Sequence, residues 1–264
     1  MLITQQIQFF ETFGFLLIRQ LFSSDEIDLI TSEFEKSMLA ARNGQPVNIQ
    51  VRQEVNNWYE GRQEIAFLTE DQRIQGPIKA LLGPEYSFSK YNDGNFYVGD
   101  TLWHPDLGWD PHIPDGINDK GRASGQYKNH YIPSIKVAFY LDPVDKYTGC
   151  LRVIPGAHRS PFHEQFWSLH ANCPSAALES PELRHKLAAM WKRYTGSTEG
   201  VDRFLSNPKV NHFGIGPENV PSFPIKSEPG DAGFFSHQLW HSSFGGAVGR
   251  RMFTLNFRSA QTNF

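Results

Sequence analysis

Trp103-His104-Pro105-Asp106 places an imidazole and a carboxylate two residues apart. On an extended backbone successive side chains point to opposite faces, so residues i and i+2 share one face. If the stretch is a strand, His104 and Asp106 can reach one ion together. A third ligand must then come from elsewhere, and His241, in Leu239-Trp240-His241-Ser242-Ser243, is the best placed of the ten histidines. It follows Pro229-Gly230-Asp231-Ala232-Gly233-Phe234-Phe235, a turn entering a strand. Two imidazoles and a carboxylate on one side of a metal, the other positions open, is the facial arrangement of non-haem Fe(II) oxygenases. A lone His-x-Asp pair is a weak signal, because such pairs arise by chance. Its weight depends on what surrounds it.

Outward from the pair, the chain reads as short strands. Tyr86 to Tyr91 and Asn95 to Val98 are aromatic-rich and separated by Asn92-Asp93-Gly94, which predicts a hairpin. Residues 107–131 are rich in Gly, Pro, Asp and Asn and read as a long loop beside the candidate ligands, hence a lid or substrate loop. Ile135 to Leu141 is a strand, Asp142-Pro143-Val144-Asp145-Lys146 a turn, and Cys150 to Ile154 its expected partner. Residues 156–221 resemble an insertion containing one helix, with Ser180 as N-cap, Pro181 at its first position and Gly196 at its end. Strands resume at Phe223 to Ser227, Gly233 to Ser236 and Met252 to Phe257.

The N-terminal part reads as helix, strand, helix. Thr4 caps a helix carrying Ile7, Phe10 and Phe13 that ends at Gly14, and Phe15-Leu16-Leu17-Ile18 is a buried strand. Ser23 to Glu26 has capping-box spacing, followed by Ile27, Ile30, Phe34 and Met38 on one helical face. From Gln45 to Glu64 the pattern is poor, and Thr69-Glu70-Asp71 then caps a helix kinked at Pro77. The expected class is α+β and mainly β: an antiparallel jelly-roll core with N-terminal helices outside and a helical insertion between strands. Residues 1–264 form one domain on this reading.

Composition removes several classes of function. A net charge of −3 without a basic run argues against a nucleic-acid surface. Apolar runs such as Phe13 to Ile18 are too short to span a bilayer, and Met1-Leu2-Ile3-Thr4 lacks the order of a signal peptide, so a cytoplasmic location is expected. Two cysteines, Cys150 and Cys173, cannot build a Cys-rich zinc site and read as small buried hydrophobes.

Arg250-Arg251 opens the last strand, nine and ten residues after His241. A guanidinium there can hold a carboxylate through paired N–H bonds. Alternation lets only one of the two face the interior; Arg250 is assigned inward with Thr254 and Asn256, and Arg251 is the reserve. Tyr97 and Asn95 share a face before the ligand stretch and are candidates for the pocket lining. Trp109 and His112 are candidates for a substrate wall in the following loop. A lysine inside a barrel is costly unless paired, so Lys136 is read either as outward and solvated, the preferred reading, or as a contact to an anionic group.

Taken together, Gly99 to Asp106, Gly149-Cys150-Leu151-Arg152-Val153-Ile154-Pro155-Gly156-Ala157-His158, Gly230 to Phe235, His241-Ser242-Ser243 and Arg250-Arg251 resemble the phytanoyl-CoA dioxygenase family. The opening Phe9 to Leu16 and the helix start at Ser24-Asp25-Glu26-Ile27 are also similar to it. The resemblance covers nearly the whole chain in the right order. It implies an Fe(II)- and 2-oxoglutarate-dependent oxygenase on a double-stranded β-helix, using O₂. Carried over, His104, Asp106 and His241 would be the catalytic iron ligands. Arg250 would bind the distal carboxylate of 2-oxoglutarate, Ser243 would hydrogen-bond the same carboxylate, and Thr101 would be a further cosubstrate contact. His158 would be structural. The resemblance also implies that halogenation would need the carboxylate position vacated by a small residue so that halide can bind, and Asp106 argues against it.

The leading expectation is therefore an oxygenase that hydroxylates a small molecule while decarboxylating 2-oxoglutarate to succinate and CO₂. Two rivals remain: a cupin-like metal enzyme that does not use 2-oxoglutarate, which has no need of Arg250, and a non-catalytic 2-oxoglutarate-binding module.

Overall fold

The ten-residue strand Arg250–Ser259 (β11) is the axis of the molecule, because it pairs with three other strands at once. A computed structural model describes residues 1–49, 51–88, 92–106, 134–159, 162, 163, 166, 169, 215–246 and 249–259. The 107–131 loop with Trp109 and His112, the helix expected from Ser180, and Cys173 lie outside the described residues.

The elements follow the chain as α1 (Thr4–Phe13), β1 (Phe15–Ile18), α2 (Ser24–Ala41), β2 (Gln53–Asn56), a 3₁₀ turn (Gln63–Thr69), α3 (Gln72–Leu82), β3 (Tyr86–Phe88), β4 (Asp93–Tyr97), β5 (Thr101–His104), β6 (Ser134–Tyr140), β7 (Leu151–Val153), β8 (Phe223–Ile225), β9 (Ala232–Ser236), β10 (His241–Ser243) and β11. A major sheet runs β1-β9-β6-β11-β4-β2, with β3 also on β11, and a minor sheet runs β5-β10-β7-β8. All described pairings are antiparallel. Two facing antiparallel sheets with helices outside one of them are the expected double-stranded β-helix.

The helices form where their ends can be satisfied. Ser23 and Glu26 close a reciprocal capping box at the start of α2. In α1 the cap is Ile3 rather than Thr4: the Gln6 side chain accepts from the Ile3 N–H, so Thr4 already lies in the first turn. Gly14 ends α1 in the left-handed region, at φ 81°. Asp71 caps α3, and Pro77 lies within it. Gln53–Asn56, where the sequence pattern is poor, pairs as an edge strand with β4.

Alternation along the strands separates two cores. One face of the major sheet presents Ile135, Val137, Phe139, Phe253, Leu255 and Phe257 to the helices, where Ile27, Ile30, Phe34 and Met38 of α2 are buried. Phe139 stacks on Phe253 at 4.7 Å, Trp58 follows at 5.1 Å from Phe253, and Phe34 lies 5.2 Å from Trp58. Burying each such side chain contributes about 1.5–3 kcal/mol. The opposite face of the sheet looks across at the minor sheet and encloses the second core, which includes Trp103, Tyr140, Phe235 and Trp240.

Two strand pairings differ from expectation. Asn92-Asp93-Gly94 does not turn a hairpin: β3 and β4 lie end to end along the same strand, β11. The buried Asn92 carboxamide oxygen accepts from Asn256 N–H at 2.7 Å, so the asparagine fastens the chain to β11 just ahead of β4 instead of reversing it. Residues 150–154 likewise do not return beside β6. After the turn, β7 crosses to the other sheet and pairs with β8 and β10. Turn chemistry marks a reversal but does not say which sheet receives the chain.

The chain leaving β1 is held by the Gly230-Asp231 turn. Asp231, buried, accepts from Gln20 N–H and Glu228 N–H at 2.9 Å each and from Arg19 at 2.6 Å, and Gly230 O accepts from Phe22 N–H. His158 is structural, as expected: its ring nitrogen bonds Glu11 O at 3.3 Å, beside Gly14, while Gly156 N–H bonds Phe13 O.

Candidate metal centre

The minor sheet brings the two ends of the ligand set together by register. His104 on β5 is the direct partner of His241 on β10, and the imidazoles lie 4.2 Å apart. Each ring is oriented in the same way: Nδ1 of His104 bonds Leu102 O and Nδ1 of His241 bonds Leu239 O, both at 2.8 Å. With Nδ1–H donating, Nε2 is left as an acceptor on both rings, the tautomer a metal requires.

Asp106 follows β5, its N–H held by His237 O at 2.8 Å. Its Oδ2 lies 3.6 Å from His241 Nε2 and its Oδ1 4.0 Å from His104 Nε2. Among the described residues this is the one group of three donors able to hold an ion, with ligand atoms all within 4.8 Å of one another. Asp106 Oδ2 is buried without a hydrogen-bond partner. A desolvated carboxylate oxygen is expensive to leave unpaired, and a cation between it and the two Nε2 atoms satisfies it. The donors fit Fe(II).

Electrostatics prepare the same state. Burial lowers both imidazoles, His241 to about 3 and His104 in the same direction, so both are neutral and able to ligate at neutral pH. Burial pushes the Asp106 carboxyl up, but Lys136 and then the neighbouring imidazoles outweigh it, and the group sits below the usual carboxylate range. Lys136 is the correction here. It faces inward, not to solvent, with Nζ 3.0 Å from Asp106 Oδ1 and only 15% of its side chain exposed. The cost of an internal lysine is met by a carboxylate arriving from the opposite sheet, which alternation along β6 alone could not reveal. Lys136 occupies Oδ1 and leaves Oδ2 for the ion.

Arg250 and Arg251 diverge as alternation requires. Arg250 is 3% exposed and faces the interior; Nη2 donates to Ser243 Oγ and Nη1 to Gly99 O at 3.2 Å. Its Nε is buried without a partner, as for a guanidinium awaiting an anion. Arg251 points to the helical side and is occupied by Asp142 and Glu35. Gly149, at φ 86°, packs so closely that a Cβ would stand 2.6 Å from the guanidinium carbon of Arg250, and Gly246 is equally tight. These two glycines make the slot, a role not visible in the motif containing Gly149. Ser243 Oγ donates to Gly149 O at 3.0 Å, and Thr101 is the register partner of Ser243. Tyr97 pairs with Arg250 across β4 and β11, with the guanidinium 5.3 Å over its ring. Asn95 is buried on the same face, and Thr254 and Asn256 line it as assigned. His237, which sequence reasoning passed over, bonds Asn256 Oδ1 at 3.0 Å and anchors Asp106 through its carbonyl.

Comparison with known proteins agrees with this geometry. The phytanoyl-CoA dioxygenase (PhyH) family model matches residues 10–252. No curated protein matches the chain. Among solved structures, HygX from Streptomyces hygroscopicus, with nickel and 2-oxoglutarate bound, superposes with a TM-score of 0.61 at 17% identity, covering 99% of this chain and 88% of that one. EctD from S. alaskensis, with 2-oxoglutarate and 5-hydroxyectoine, gives 0.60 at 17%, covering 99% and 77%. SnoK, a non-heme alpha-ketoglutarate-dependent carbocyclase from nogalamycin biosynthesis, gives 0.60 at 16%, covering 98% and 85%. Those likenesses carry the fold, and the family match carries the identity. The chain belongs to the phytanoyl-CoA dioxygenase family of Fe(II)- and 2-oxoglutarate-dependent oxygenases.

Proposed function

We propose that this oxygenase is a hydroxylase of a small molecule, with His104, Asp106 and His241 holding Fe(II) and Arg250 and Ser243 holding the distal carboxylate of 2-oxoglutarate. The observation that carries the reading is the convergence of three oriented donors beside a buried arginine that has no carboxylate of its own among the described residues. When bound, the iron activates O₂ at the expense of 2-oxoglutarate, giving succinate, CO₂ and an oxidant for a substrate C–H bond.

The protein's part is to orient and to exclude. Nδ1–H bonds from His104 and His241 fix both rings, and Lys136 holds the second oxygen of Asp106, so these three residues would hold the ion. Arg250 is desolvated, so its attraction for a carboxylate is undiminished by water. Ser243 accepts from Arg250 and keeps the guanidinium plane fixed between Gly149 and Gly246. Thr101, as the partner of Ser243, supports a cosubstrate contact from β5. Tyr97 is proposed as part of the substrate wall, as are Trp109 and His112 from the loop after Asp106.

Anaerobic addition of Fe(II) and 2-oxoglutarate should give a visible charge-transfer band. His104→Ala should abolish it, whereas Arg250→Ala should weaken 2-oxoglutarate binding and leave iron in place. An intact protein that binds iron yet shows no band at any 2-oxoglutarate concentration would return the assignment to a cupin-like enzyme without that cosubstrate. Hydroxylation itself is read by mass spectrometry of a product found in a succinate-coupled metabolite screen.

A further inference from the structure

Among the described residues, one charged group on the interior face of the major sheet lacks a direct partner. That face is traced by register: Tyr97, Asn95 and Asp93 on β4, Arg250 and Thr254 on β11, Lys136 on β6. Gly94, between Asp93 and Asn95, backs onto Trp58 and Met38 on the helical side, which fixes Asp93 and Asn95 as inward. Asp93 N–H reaches Thr254 Oγ at 3.4 Å, and Thr254 pairs with Ala138, two residues from Lys136. Asp93 therefore stands on the same wall as Lys136, whose ammonium touches Asp106.

Among the described residues, four charged groups that are wholly or largely shielded from water face this interior: Arg250, Lys136, Asp106 and Asp93. Three are committed. Asp106 serves Lys136 and the ion, Lys136 serves Asp106, and Arg250 serves the cosubstrate. At the rim, Arg52 is likewise taken up, donating to Glu54 at 2.6 Å, Asn95 at 3.2 Å and Tyr97 at 3.1 Å. Among the described residues the Asp93 carboxylate accepts no hydrogen bond and makes no ion pair, and the Lys136 and Arg52 charges reach it only at longer range. Burial pushes its carboxyl up, and the Lys136 charge offsets that only in part.

We propose that Asp93 is the substrate-recognition carboxylate and that the substrate is a small molecule carrying a cationic nitrogen, an amine or guanidine, which Asp93 binds while a neighbouring carbon faces the metal. The inference rests on the oxygenase reading above and narrows it. Among the described residues an anionic substrate finds no uncommitted cation on this wall, and an alkyl chain would leave the Asp93 carboxylate desolvated without a hydrogen-bond partner.

The test uses the full chain with Fe(II) and 2-oxoglutarate. A panel of primary amines, including amino sugars, amino-acid amides and polyamines, is set against the matched N-acetyl compounds and against carboxylic acids, with succinate formation as the readout. Amines should stimulate turnover and their N-acetyl counterparts should not. Asp93→Asn should lower kcat/KM for the best amine by about 10- to 100-fold, the effect of losing one charge-assisted hydrogen bond. Asp93→Glu should recover part of it, and both variants should retain the anaerobic charge-transfer band at wild-type 2-oxoglutarate concentration. A wild-type band with no stimulation by any amine overturns the proposal, as does equal turnover by wild type and Asp93→Asn. Absence of the band in wild type would instead overturn the oxygenase reading beneath it.

Discussion

The two faces of β11 carry different parts of the protein's work. Phe253, Leu255 and Phe257 point to the helices and are fully buried among aromatic rings. Arg250, Thr254 and Asn256, one residue out of phase, point to the interior and are buried among hydrogen bonds. One face is held by non-directional packing, the other by directed polar contacts. A strand of period two can thus hold stability and chemistry in alternate letters. Substitutions on the two faces should fail in separable ways.

The largest effect is expected from the packing side. Phe253→Ala removes the ring between Phe139 and Trp58 and should cost about 3–5 kcal/mol by denaturant unfolding. Below the new midpoint, its 2-oxoglutarate affinity should stay within a few-fold of wild type. A comparable loss of 2-oxoglutarate affinity would mean that the two faces are coupled.

On the polar side, Arg250→Ala should weaken 2-oxoglutarate by about 100-fold, roughly 2.7 kcal/mol, in an anaerobic titration. Arg251→Ala should leave that affinity unchanged and lower stability slightly, through the lost Asp142 pair. The reverse result would exchange the roles of the two arginines.

Lys136→Met sharpens the comparison, because it exchanges a polar inward group for an apolar one. It strands the Asp106 carboxylate, so the metal-free variant should lose about 2 kcal/mol, less than a fully buried pair because both partners keep some exposure. Ni(II) should raise the melting temperature of this variant more than that of wild type, since the ion then supplies the missing positive charge. Equal shifts would mean that Lys136 does not support Asp106.

The effect expected to be read only as a slope lies away from both faces. His158, buried beside Gly14, has its pKa lowered from 6.5 to about 4, chiefly by burial. An unfolded chain binds that proton more readily than the folded one. Its contribution is therefore present above pH 6.5 and is lost as pH falls from there towards 4. His158→Gln should reduce the pH dependence of unfolding in that window by about 1.4 kcal/mol per unit. An unchanged slope would show that the ring is not held neutral.

Much of this was readable in the letters because it obeys short rules. His104 and Asp106 are two residues apart, Arg250 shares parity with Thr254 and Asn256, and Ser23 and Glu26 close a box. What was not readable depends on the arrival of a second chain segment. Lys136 reads as outward until Asp106 is known to face it from the other sheet. Asn92-Asp93-Gly94 reads as a reversal until Asn92 is seen bonded to β11. Residues 150–154 read as a partner of β6 because a turn encodes direction and not destination. Gly149 and Gly246 gain their meaning only from the guanidinium between them.

The location of β5 in the minor sheet has a consequence for change over time. It is a four-residue border strand with one neighbour, whereas β11 is hemmed in on both sides. The proposed grip on the keto acid thus sits on a strand paired on both sides, while two of the proposed metal donors lie on or beside a border strand. Descendants of such a scaffold can trade one client molecule for another by rewriting that margin, without retuning the part every cycle reuses.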